Sequence, residues 1–203
     1  MEAAAIERPK RGRPSTGARE RILEGCLEVL KESGFAGLTI AKVAAASGES
    51  KALISYHFGS KDGLIAAAGR ELGEEITREV LDGLEGAKTV EEIVSGAAGA
   101  LWQLIERDER LPRVYFDLNA VSVVDSDIRD VLREIKVAWR NVVSRLLLEA
   151  TPPVAKRNVG AVTTLIIAGL EGLTLERIER GETAELEQAR KLFVESICAV
   201  AQA

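Results

Sequence analysis

Histidine and cysteine are nearly absent from this sequence. It contains one histidine, His57, and two cysteines, Cys26 and Cys198, among 203 residues. A protein-bound transition metal needs several imidazole or thiolate ligands, so we expect no metal site. The two cysteines lie far apart within apolar helical patterns. We therefore expect buried thiols in a reducing cytoplasm rather than a disulfide.

Recognisable catalytic patterns are missing as well. No nucleophile stands beside a base, no glycine-rich phosphate loop occurs, and no pair of carboxylates falls in a familiar frame. A helical enzyme is one alternative for such a chain, but no residue pattern supports it. We predict that the protein is not an enzyme and has no cofactor.

Long apolar runs and strand-like patterns are also missing. No run reaches the roughly 18 residues that a membrane span needs, since Glu171 interrupts the most apolar segment, 161–175. The basic N-terminus is not followed by an apolar stretch, which argues against a secretory signal. Aromatic residues make up only 4%, while alanine, leucine, glutamate and arginine dominate, which favours helix. These features predict an all-α cytoplasmic protein with no membrane partner.

Net positive charge, a common mark of nucleic-acid-binding proteins, is missing too, because the formal net charge is −5. The distribution of charge reverses that conclusion. Residues 1–61 carry ten basic and seven acidic side chains, whereas residues 62–203 carry 17 basic and 25 acidic ones. The segment from Arg8 to Arg19, both included, contains five basic residues and no acidic one. A basic end on an acidic body indicates a DNA-binding segment attached to a domain with another task.

What the sequence does contain is a pair of short helical patterns at residues 39–58. Thr39 and Ser50 stand at the two N-cap positions, and Gly48 can take the left-handed conformation that a sharp turn requires. Two short helices joined by a turn containing glycine are the helix-turn-helix signature. The alternative is an ordinary corner between two helices, since helical proteins contain many such corners.

The second of these helices has a short, polar or basic outer face. Its outward positions are Lys51, Ala52, Ser55 and Tyr56. In a helix-turn-helix the second helix lies in the major groove while the first crosses the DNA backbone. This face is therefore the candidate surface for contacts with base edges.

The N-terminal segment, residues 1–15, is predicted to be a flexible basic arm because proline and glycine interrupt it. Residues 10–14 look like the core of an AT-hook. Arg11 and Arg13 would then enter a narrow A·T-rich minor groove. The alternative is a disordered tail that phosphates attract without sequence preference.

Residues 16–61 are predicted to form a three-helix helix-turn-helix head. Its first helix should run from about Ala18 to Ser33, with Thr16 as the cap before it and Gly34 after it. Ser60 should cap a long fourth helix that extends to about Gly86 and connects the head to the body.

Residues 62–203 are predicted to form a C-terminal helical bundle, because apolar residues recur at helical spacing throughout. Beyond the fourth helix, we expect further helices at 89–108, from Pro112, from Asp125 or Ser126 to about Ala150, at 154–180, and from Thr183. Several polar or aromatic residues fall on three consecutive helical patterns of the body: Trp102, Tyr115, Phe116, Asn119 and Trp139.

These five residues are candidates for lining an apolar ligand pocket inside the bundle. Arg113 or Glu171 could supply a polar contact. For any single aromatic residue of the set, plain core packing is the alternative.

The ordered motifs of residues 17–65 resemble the tetracycline-repressor (TetR) family of transcription regulators. The likeness rests on Gly34-Phe35, then LTIAKVAAASG, then SKALISYHF, then GSKDGLI. Beyond residue 65 the likeness concerns length and helix count. One position departs from the family pattern: the turn carries Glu49 where a hydrophobic residue is usual. Because a buried carboxylate is costly, we expect Glu49 to be solvent-exposed or the turn to be rearranged.

The resemblance implies a homodimer that reads a palindromic operator in double-stranded DNA, with repression as the expected effect. Lys51, Ser55 and Tyr56 are then candidates for groove and phosphate contacts. Thr39 and Lys61 are candidates for phosphate contacts at the starts of their helices. His57 would either touch a phosphate or pack on the first helix.

The resemblance also assigns residues 62–203 to regulation and dimerisation. The helices near 154–180 and 183–202 would form the dimer surface, where small residues such as Gly160, Gly169 and Gly172 permit close approach. Each of these glycines could equally serve packing within one protomer. A small apolar or amphipathic ligand is expected to bind the bundle and release the DNA. The alternatives are a ligand-independent DNA-binding regulator, an architectural protein with the same head, and a helical adaptor for protein partners.

Overall fold

The computed structural model describes residues 17–202, and within that range every regular element is an α-helix. The predicted contacts of Arg11 and Arg13 lie outside the described residues. The nine helices of the described range are α1 (Ala18–Gly37), α2 (Ile40–Ser47), α3 (Lys51–Phe58), α4 (Lys61–Asp82), α5 (Val90–Asp108), α6 (Arg110–Ser122), α7 (Ser126–Glu149), α8 (Lys156–Arg180) and α9 (Ala184–Gln202). The predicted all-α class is confirmed, with a three-helix head and a helical body.

Side-chain caps define the starts of three helices around the head. The hydroxyl oxygens of Thr39, Ser50 and Ser60 each accept a hydrogen bond from the backbone N–H three residues later. Each cap satisfies one of the amide groups that a helix N-terminus leaves without a partner. The start points of α2, α3 and α4 therefore follow from local sequence, as predicted.

The first helix begins at Ala18, as predicted, and its regular geometry is interrupted at Gly34, the residue predicted to follow its end. Its N-cap is Gly17, with no side-chain cap hydrogen bond, rather than Thr16. It continues to Gly37 instead of stopping at Ser33, with a kink at Gly34, whose φ of 63° and ψ of −178° are not helical. Glycine adopts such a positive φ at little cost, so the chain resumes a further turn after the kink.

The fourth helix ends at Asp82, earlier than predicted. Leu84 N–H bonds the Leu81 carbonyl, and Glu85 N–H bonds that of Asp82, so the chain tightens into turns. A Cβ on Gly83 would lie 2.7 Å from the Cβ of Ala100. The close approach of α5 at this point favours glycine.

The remaining helices follow the predicted order with small shifts. Thr89 and Glu92 form a capping box at α5, and the Asp125 side chain caps α7. α6 begins at Arg110, two residues before Pro112, because proline is tolerated in the first turn of a helix. α8 begins at Lys156 rather than Val154.

The two cysteines are free thiols. Cys26 is buried in α1, and this burial raises the pKa of its thiol to about 12. Cys198 is only partly buried, whereas the sequence analysis predicted that both would be buried.

Two hydrophobic clusters form the interior. The head-side cluster joins the head to α4, α6 and α7. It consists of Ile22, Leu23, Cys26, Leu27, Val29, Leu30, Leu38, Val43, Ile54, Leu64, Ile65, Ala68, Leu72, Ile76, Leu104, Leu111, Val114, Tyr115, Leu118, Ile128, Val131, Leu132 and Ile135. The distal cluster joins α5, α8 and α9 to the ends of α4 and α7. It consists of Leu84, Ile93, Val94, Ala97, Ala98, Leu147, Ala150, Val154, Val159, Val162, Ile166, Leu170, Ile197 and Ala201.

Helix α8 is more apolar than the sequence analysis predicted. By length and composition it could cross a membrane, with a mean hydropathy of 1.4 over its most apolar 18 residues. In the structure this helix packs against α5, α7 and α9. Its high hydropathy arises because both its packed face and part of its exposed face are apolar.

Candidate nucleic-acid interface and ligand cavity

Helix α3 presents the predicted polar face to solvent. Lys51, Ala52, Ser55 and Tyr56 are all exposed. Tyr56 is 72% exposed, which is high for an aromatic side chain, whereas Ile54 on the opposite side is 1% exposed. The buried side fixes the helix on the head-side cluster, and the exposed side is free to contact another molecule.

The turn before α3 is held by an ion pair. Gly48 has a φ of 70°, the left-handed conformation that the turn requires. The Glu49 carboxylate accepts hydrogen bonds from the guanidinium of Arg21, with Arg21 Nη2 at 2.6 Å from Oε1. The Glu49 side chain is only 14% exposed, so the expected solvent exposure is wrong. Arg21 compensates the carboxylate charge, which makes partial burial tolerable.

Close packing also fixes α2 against α1. A Cβ on Gly25 would lie 2.8 Å from the backbone nitrogen of Ser47. A real Cβ cannot approach backbone so closely, which explains a glycine at this position of α1. The crossing of these two helices therefore sets the position of the turn and of α3.

The other predicted DNA-contact residues of the described range lie at the starts of α2 and α4 and within α3. Thr39 is exposed, and its hydroxyl caps α2. The ammonium of Lys61 lies 5.6 Å from the centre of the Phe35 ring. His57 is partly buried beside the rings of Tyr56 and Phe58, and its Nε2 is buried without a hydrogen-bond partner in the described part of the chain. The phosphate contact predicted for His57 stays a prediction.

The body contains an apolar cavity of about 100 Å³. Its wall is formed by residues of α4 to α8: Ile76, Thr77, Val80, Leu81, Leu84, Ile93, Ala97, Leu101, Leu104, Pro112, Tyr115, Phe116, Trp139, Val142, Val143, Ile166, Ile167, Leu170, Glu171 and Thr174. The wall includes members of both hydrophobic clusters. The cavity therefore lies where the head-side and distal clusters meet.

Three of the predicted pocket residues line this cavity together. Tyr115 and Trp139 pack with ring centres 5.3 Å apart, and Phe116 lies 5.4 Å from Tyr115. The indole Nε1 of Trp139 donates a hydrogen bond to Thr77 Oγ1 at 2.7 Å. This bond anchors the indole of α7 to α4.

Two of the predicted pocket residues lie elsewhere. Trp102 donates from Nε1 to the Glu182 carboxylate at 2.9 Å, and the guanidinium of Arg190 lies over its ring. Asn119 donates to the backbone carbonyl of Tyr115 within α6. Helical spacing alone placed these residues inside the bundle, but the rotation of each helix decides which cavity a residue reaches.

A polar group of three residues borders the cavity. The Tyr115 hydroxyl donates a hydrogen bond to Glu171 Oε1, and Lys136 Nζ lies 3.0 Å from the same oxygen. Burial, together with the charge of Glu171, raises the pKa of Tyr115 above its usual value, so the phenol remains a donor. Arg113, the alternative polar contact from the sequence, instead pairs with Glu109 at 3.1 Å.

Three polar residues of this region were not predicted from the sequence: Thr77, Lys136 and Thr174. Thr174 lies three positions after Glu171, a spacing that places both on one face of a helix. That spacing was a usable signal for Thr174. Lys136 could not be found in this way, because it comes from a different helix.

The small residues of α8 divide between its two faces. A Cβ on Gly169 would lie 2.2 Å from the Phe193 ring of α9, so this glycine serves packing within the chain. A Cβ on Gly160 or on Gly172 would meet no atom within 4 Å. The exposed face of α8 and α9 also carries large apolar residues: Leu165, Leu175, Leu192 and Val200. Residues 17–202 contain no group of histidine, cysteine or acidic residues arranged to hold a metal.

Comparison with known proteins agrees with this architecture. Residues 22–68 match the model of the bacterial regulatory proteins of the tetR family. Over 74 residues the chain is 35% identical to the transcriptional regulator BetI 1 of Chromohalobacter salexigens, and this match covers 34% of the chain and 37% of that regulator. A longer match, 22% identical over 155 residues, links it to the nicotine-responsive transcriptional repressor HdnoR of Paenarthrobacter nicotinovorans. It covers 74% of the chain and 80% of that repressor.

A solved structure extends the likeness to the whole fold. A TetR-family transcriptional regulator from Rhodococcus sp. superposes with a TM-score of 0.78 at 22% identity, covering 92% of this chain and 100% of that one. At this identity the superposition concerns the fold, while the likeness to the tetR family rests on residues 22–68. The head of this chain, residues 22–68, is therefore similar to the bacterial regulatory proteins of the tetR family.

Proposed function

We propose that this protein is a homodimeric transcriptional repressor of the cytoplasm, which binds a palindromic operator and is released by a small organic ligand. In this proposal residues 16–61 read the DNA, and residues 62–203 provide regulation and dimerisation. The exposed polar face of α3 is the observation that carries the proposal. Packing within the protein does not account for Tyr56, Lys51 and Ser55, because all three side chains are exposed to solvent.

The position of α3 supports a major-groove contact. Its buried side is fixed on the head, and the N-terminal ends of α2 and α4 lie on either side of it in the chain. Backbone N–H groups and hydroxyls at helix starts are suited to phosphate binding. Two such heads would read half-sites about 34–36 Å apart, or a multiple of that distance. Arg11 and Arg13 would add minor-groove contacts beside each half-site.

The exposed apolar face of α8 and α9 supports dimerisation. A surface that combines Leu165, Leu175 and Leu192 with two glycines in open space suits a second copy of the same face. Closed two-fold symmetry requires such a self-complementary surface. The distance between the two heads would then be set by the body.

The cavity supports ligand control through α4. This helix begins at Lys61, three residues after α3 ends, and reaches the cavity with Ile76 and Val80. A ligand that fills the cavity and pushes α4 would tilt the head against the body. A change in head spacing would lower the affinity for an operator of fixed half-site distance.

Replacement of Lys51 or Tyr56 by alanine tests the DNA interface. Each change should weaken binding to an operator selected from random DNA by about tenfold, because each removes a groove or phosphate contact. Gel-shift titration at a fixed salt concentration measures the loss. The matched control is Lys88→Ala, an exposed lysine in the loop before α5. Unchanged operator binding by both head variants would contradict the assignment of α3.

Leu165→Glu tests the dimer. Leu165 is 47% exposed on α8, so the change should leave the protomer folded while placing two carboxylates in the proposed interface. Analytical ultracentrifugation should then give a monomer, and operator binding should weaken with it. Val137, 49% exposed on α7, offers the control Val137→Glu. A wild-type protein that sediments as a monomer would rule out the two-fold operator.

A further inference from the structure

The polar groups in the wall of the cavity are almost all satisfied by the protein itself. Thr77 donates to the Gly73 carbonyl at 2.6 Å and accepts from Trp139. The Tyr115 hydroxyl is taken by Glu171. Two hydrogen-bonding positions remain for a ligand, and both lie on α8.

The first position is the hydroxyl of Thr174. The residue is only 5% exposed, and its buried Oγ1 has no hydrogen-bond partner among residues 17–202. A threonine in a helix commonly bonds the carbonyl three or four residues earlier, as Thr77 and Thr164 do here. Thr174 makes no such bond. A buried hydroxyl without a partner is costly and would gain from a ligand that supplies one.

The second position is Oε2 of Glu171. Both Tyr115 and Lys136 contact Oε1, and Oε2 has no hydrogen-bond partner in the described part of the chain. Glu171 and Thr174 are three residues apart and both line the cavity. They therefore face it together from one turn of α8.

The charges at this position favour an uncharged ligand. The Lys136 ammonium lies 3.0 Å from the Glu171 carboxylate and compensates its charge. A cationic ligand at Oε2 would add a second positive charge beside Lys136, and an anionic one would face the carboxylate. The rest of the wall is apolar, so a charge placed there would remain poorly solvated.

We infer that the ligand is a small uncharged alcohol or phenol, whose hydroxyl accepts a hydrogen bond from Thr174 and donates one to Glu171 while its apolar body fills the cavity beside Trp139. This inference rests on the proposed ligand-controlled function. The sequence predicted a small apolar or amphipathic ligand, and the cavity adds that this ligand carries a hydroxyl group.

The size of the cavity sets the scale of the ligand. Its volume is about 100 Å³, whereas a cavity of about 150 Å³ accommodates benzene. A ligand with one ring would fill this space and press on its wall. Ile76 and Val80 of α4 belong to that wall, so the ligand body would push the helix that leads to the head.

Two probes of matched shape test the inference on the full chain. Benzyl alcohol and ethylbenzene share the ring and differ in whether the side chain ends in a hydroxyl or a methyl group. Their affinities are measured by nuclear magnetic resonance titration for the wild type and for Thr174→Val, which keeps the shape of the side chain and removes its hydroxyl. In the Trp102→Phe protein, fluorescence reports on Trp139 alone, because the chain has two tryptophans.

Thr163→Val is the matched control. Thr163 is 1% exposed on the same helix, but its hydroxyl is hydrogen-bonded to Ser144 at 3.0 Å and lies outside the cavity wall. Thr174→Val should weaken the binding of benzyl alcohol by about tenfold, because one hydrogen bond is lost. The affinity for ethylbenzene should stay within about twofold of the wild-type value. Thr163→Val should leave both affinities unchanged.

Thermal unfolding without any probe separates a binding role from a structural one. Thr174→Val should raise Tm, because it removes a buried hydroxyl without a partner, whereas Thr163→Val should lower it by breaking the bond to Ser144. A lower Tm for Thr174→Val together with an equal loss for both probes would show a structural role and overturn the inference.

Two other outcomes would also overturn it. One is tighter binding of benzylamine than of benzyl alcohol, which would indicate a cationic ligand. The other is the absence of any response of Trp139 to either neutral probe at saturation. Operator binding without a probe distinguishes these failures from failure of the proposed function, since a repressor of another ligand class would still bind its operator.

Discussion

The two hydrophobic clusters of this protein differ in which helices they join. The head-side cluster runs without interruption from α1, α2 and α3 into α4, α6 and α7. The distal cluster is confined to the body and connects α5, α8 and α9. The head thus has no separate interior of its own, while the far end of the body does.

This difference indicates how a displacement of helices in the body can reach the head. A head that shares its core with α4 and α6 cannot ignore a shift of either helix, because a close-packed interior transmits displacement. The distal cluster can provide a fixed base, since it packs on the helices with the proposed dimer surface. The cavity lies between the two, where a ligand would separate a movable half from a stationary one.

The largest expected effect on stability comes from truncating one buried leucine in either cluster. Leu72 in the head-side cluster and Leu147 in the distal cluster are both fully buried. Replacing either by alanine should lower the free energy of unfolding by about 3 kcal/mol, through lost burial and the cavity left behind. Only Leu72→Ala should also weaken operator binding, because only that cluster extends into the head.

Chemical denaturation followed by circular dichroism, at one protein concentration, measures the loss. Each variant should shift a single transition, since the clusters meet around the cavity and unfold together. Two separate transitions, one sensitive to Leu72→Ala and the other to Leu147→Ala, would mean that head and distal body are independent units.

A smaller effect on stability is expected from adding a methyl group at a closely packed glycine near each cluster. A Cβ on Gly73 would meet the side chain of Ile135 at 2.7 Å, and one on Gly169 would meet the Phe193 ring at 2.2 Å. Gly169→Ala should cost about 2 kcal/mol of unfolding free energy, because a phenylalanine ring has little room to move away. Gly73→Ala should cost about 1 kcal/mol, since Ile135 can change its rotamer.

Gly99 provides the control for both glycine variants. It lies within α5 with open space where a Cβ would be, so Gly99→Ala should stabilise the protein by up to about 1 kcal/mol through helix propensity. Thermal unfolding of the three variants gives the order. If Gly169→Ala proved as stable as Gly99→Ala, the packing of α9 on α8 would be looser than the structure indicates.

Local signals in the sequence were enough to predict the head. The caps at Thr39, Ser50 and Ser60 and the left-handed turn at Gly48 depend on residues within one turn of each other. The ion pair between Arg21 and Glu49 was not predictable in this way, because 28 positions separate its members. Only the crossing of α1 and α2 brings them together.

The cavity was predicted in part for the same reason. Tyr115, Phe116 and Trp139 line it as predicted, whereas Trp102 belongs to a different contact with Glu182 and Arg190. Helical periodicity identifies the apolar face of each helix but not its neighbours. The unpartnered hydroxyl of Thr174 could be recognised only after the whole hydrogen-bond network was known.

The smallest effect concerns an ionic contact between head and body. The Asp108 carboxylate accepts hydrogen bonds from Arg110 and lies 3.2 Å from the ammonium of Lys31 on α1. The hydrogen bond from Arg110, followed by that from Lys31, lowers the pKa of Asp108 to about 2. Because the folded state depresses this pKa, its contribution to stability is complete above the unfolded value of about 4 and is lost as the pH falls toward about 2.

Asp108→Asn should therefore cost about 1 kcal/mol of unfolding free energy at neutral pH, a modest value because water partly screens the contact. The difference from wild type should vanish below about pH 2 and be constant above about pH 5. Asp130→Asn is the control, since Asp130 pairs with Arg133 on the exposed surface of a single helix. Denaturation at a series of pH values gives both curves. A constant difference down to the lowest pH would show that the carboxylate charge of Asp108 does not hold α1 to the body.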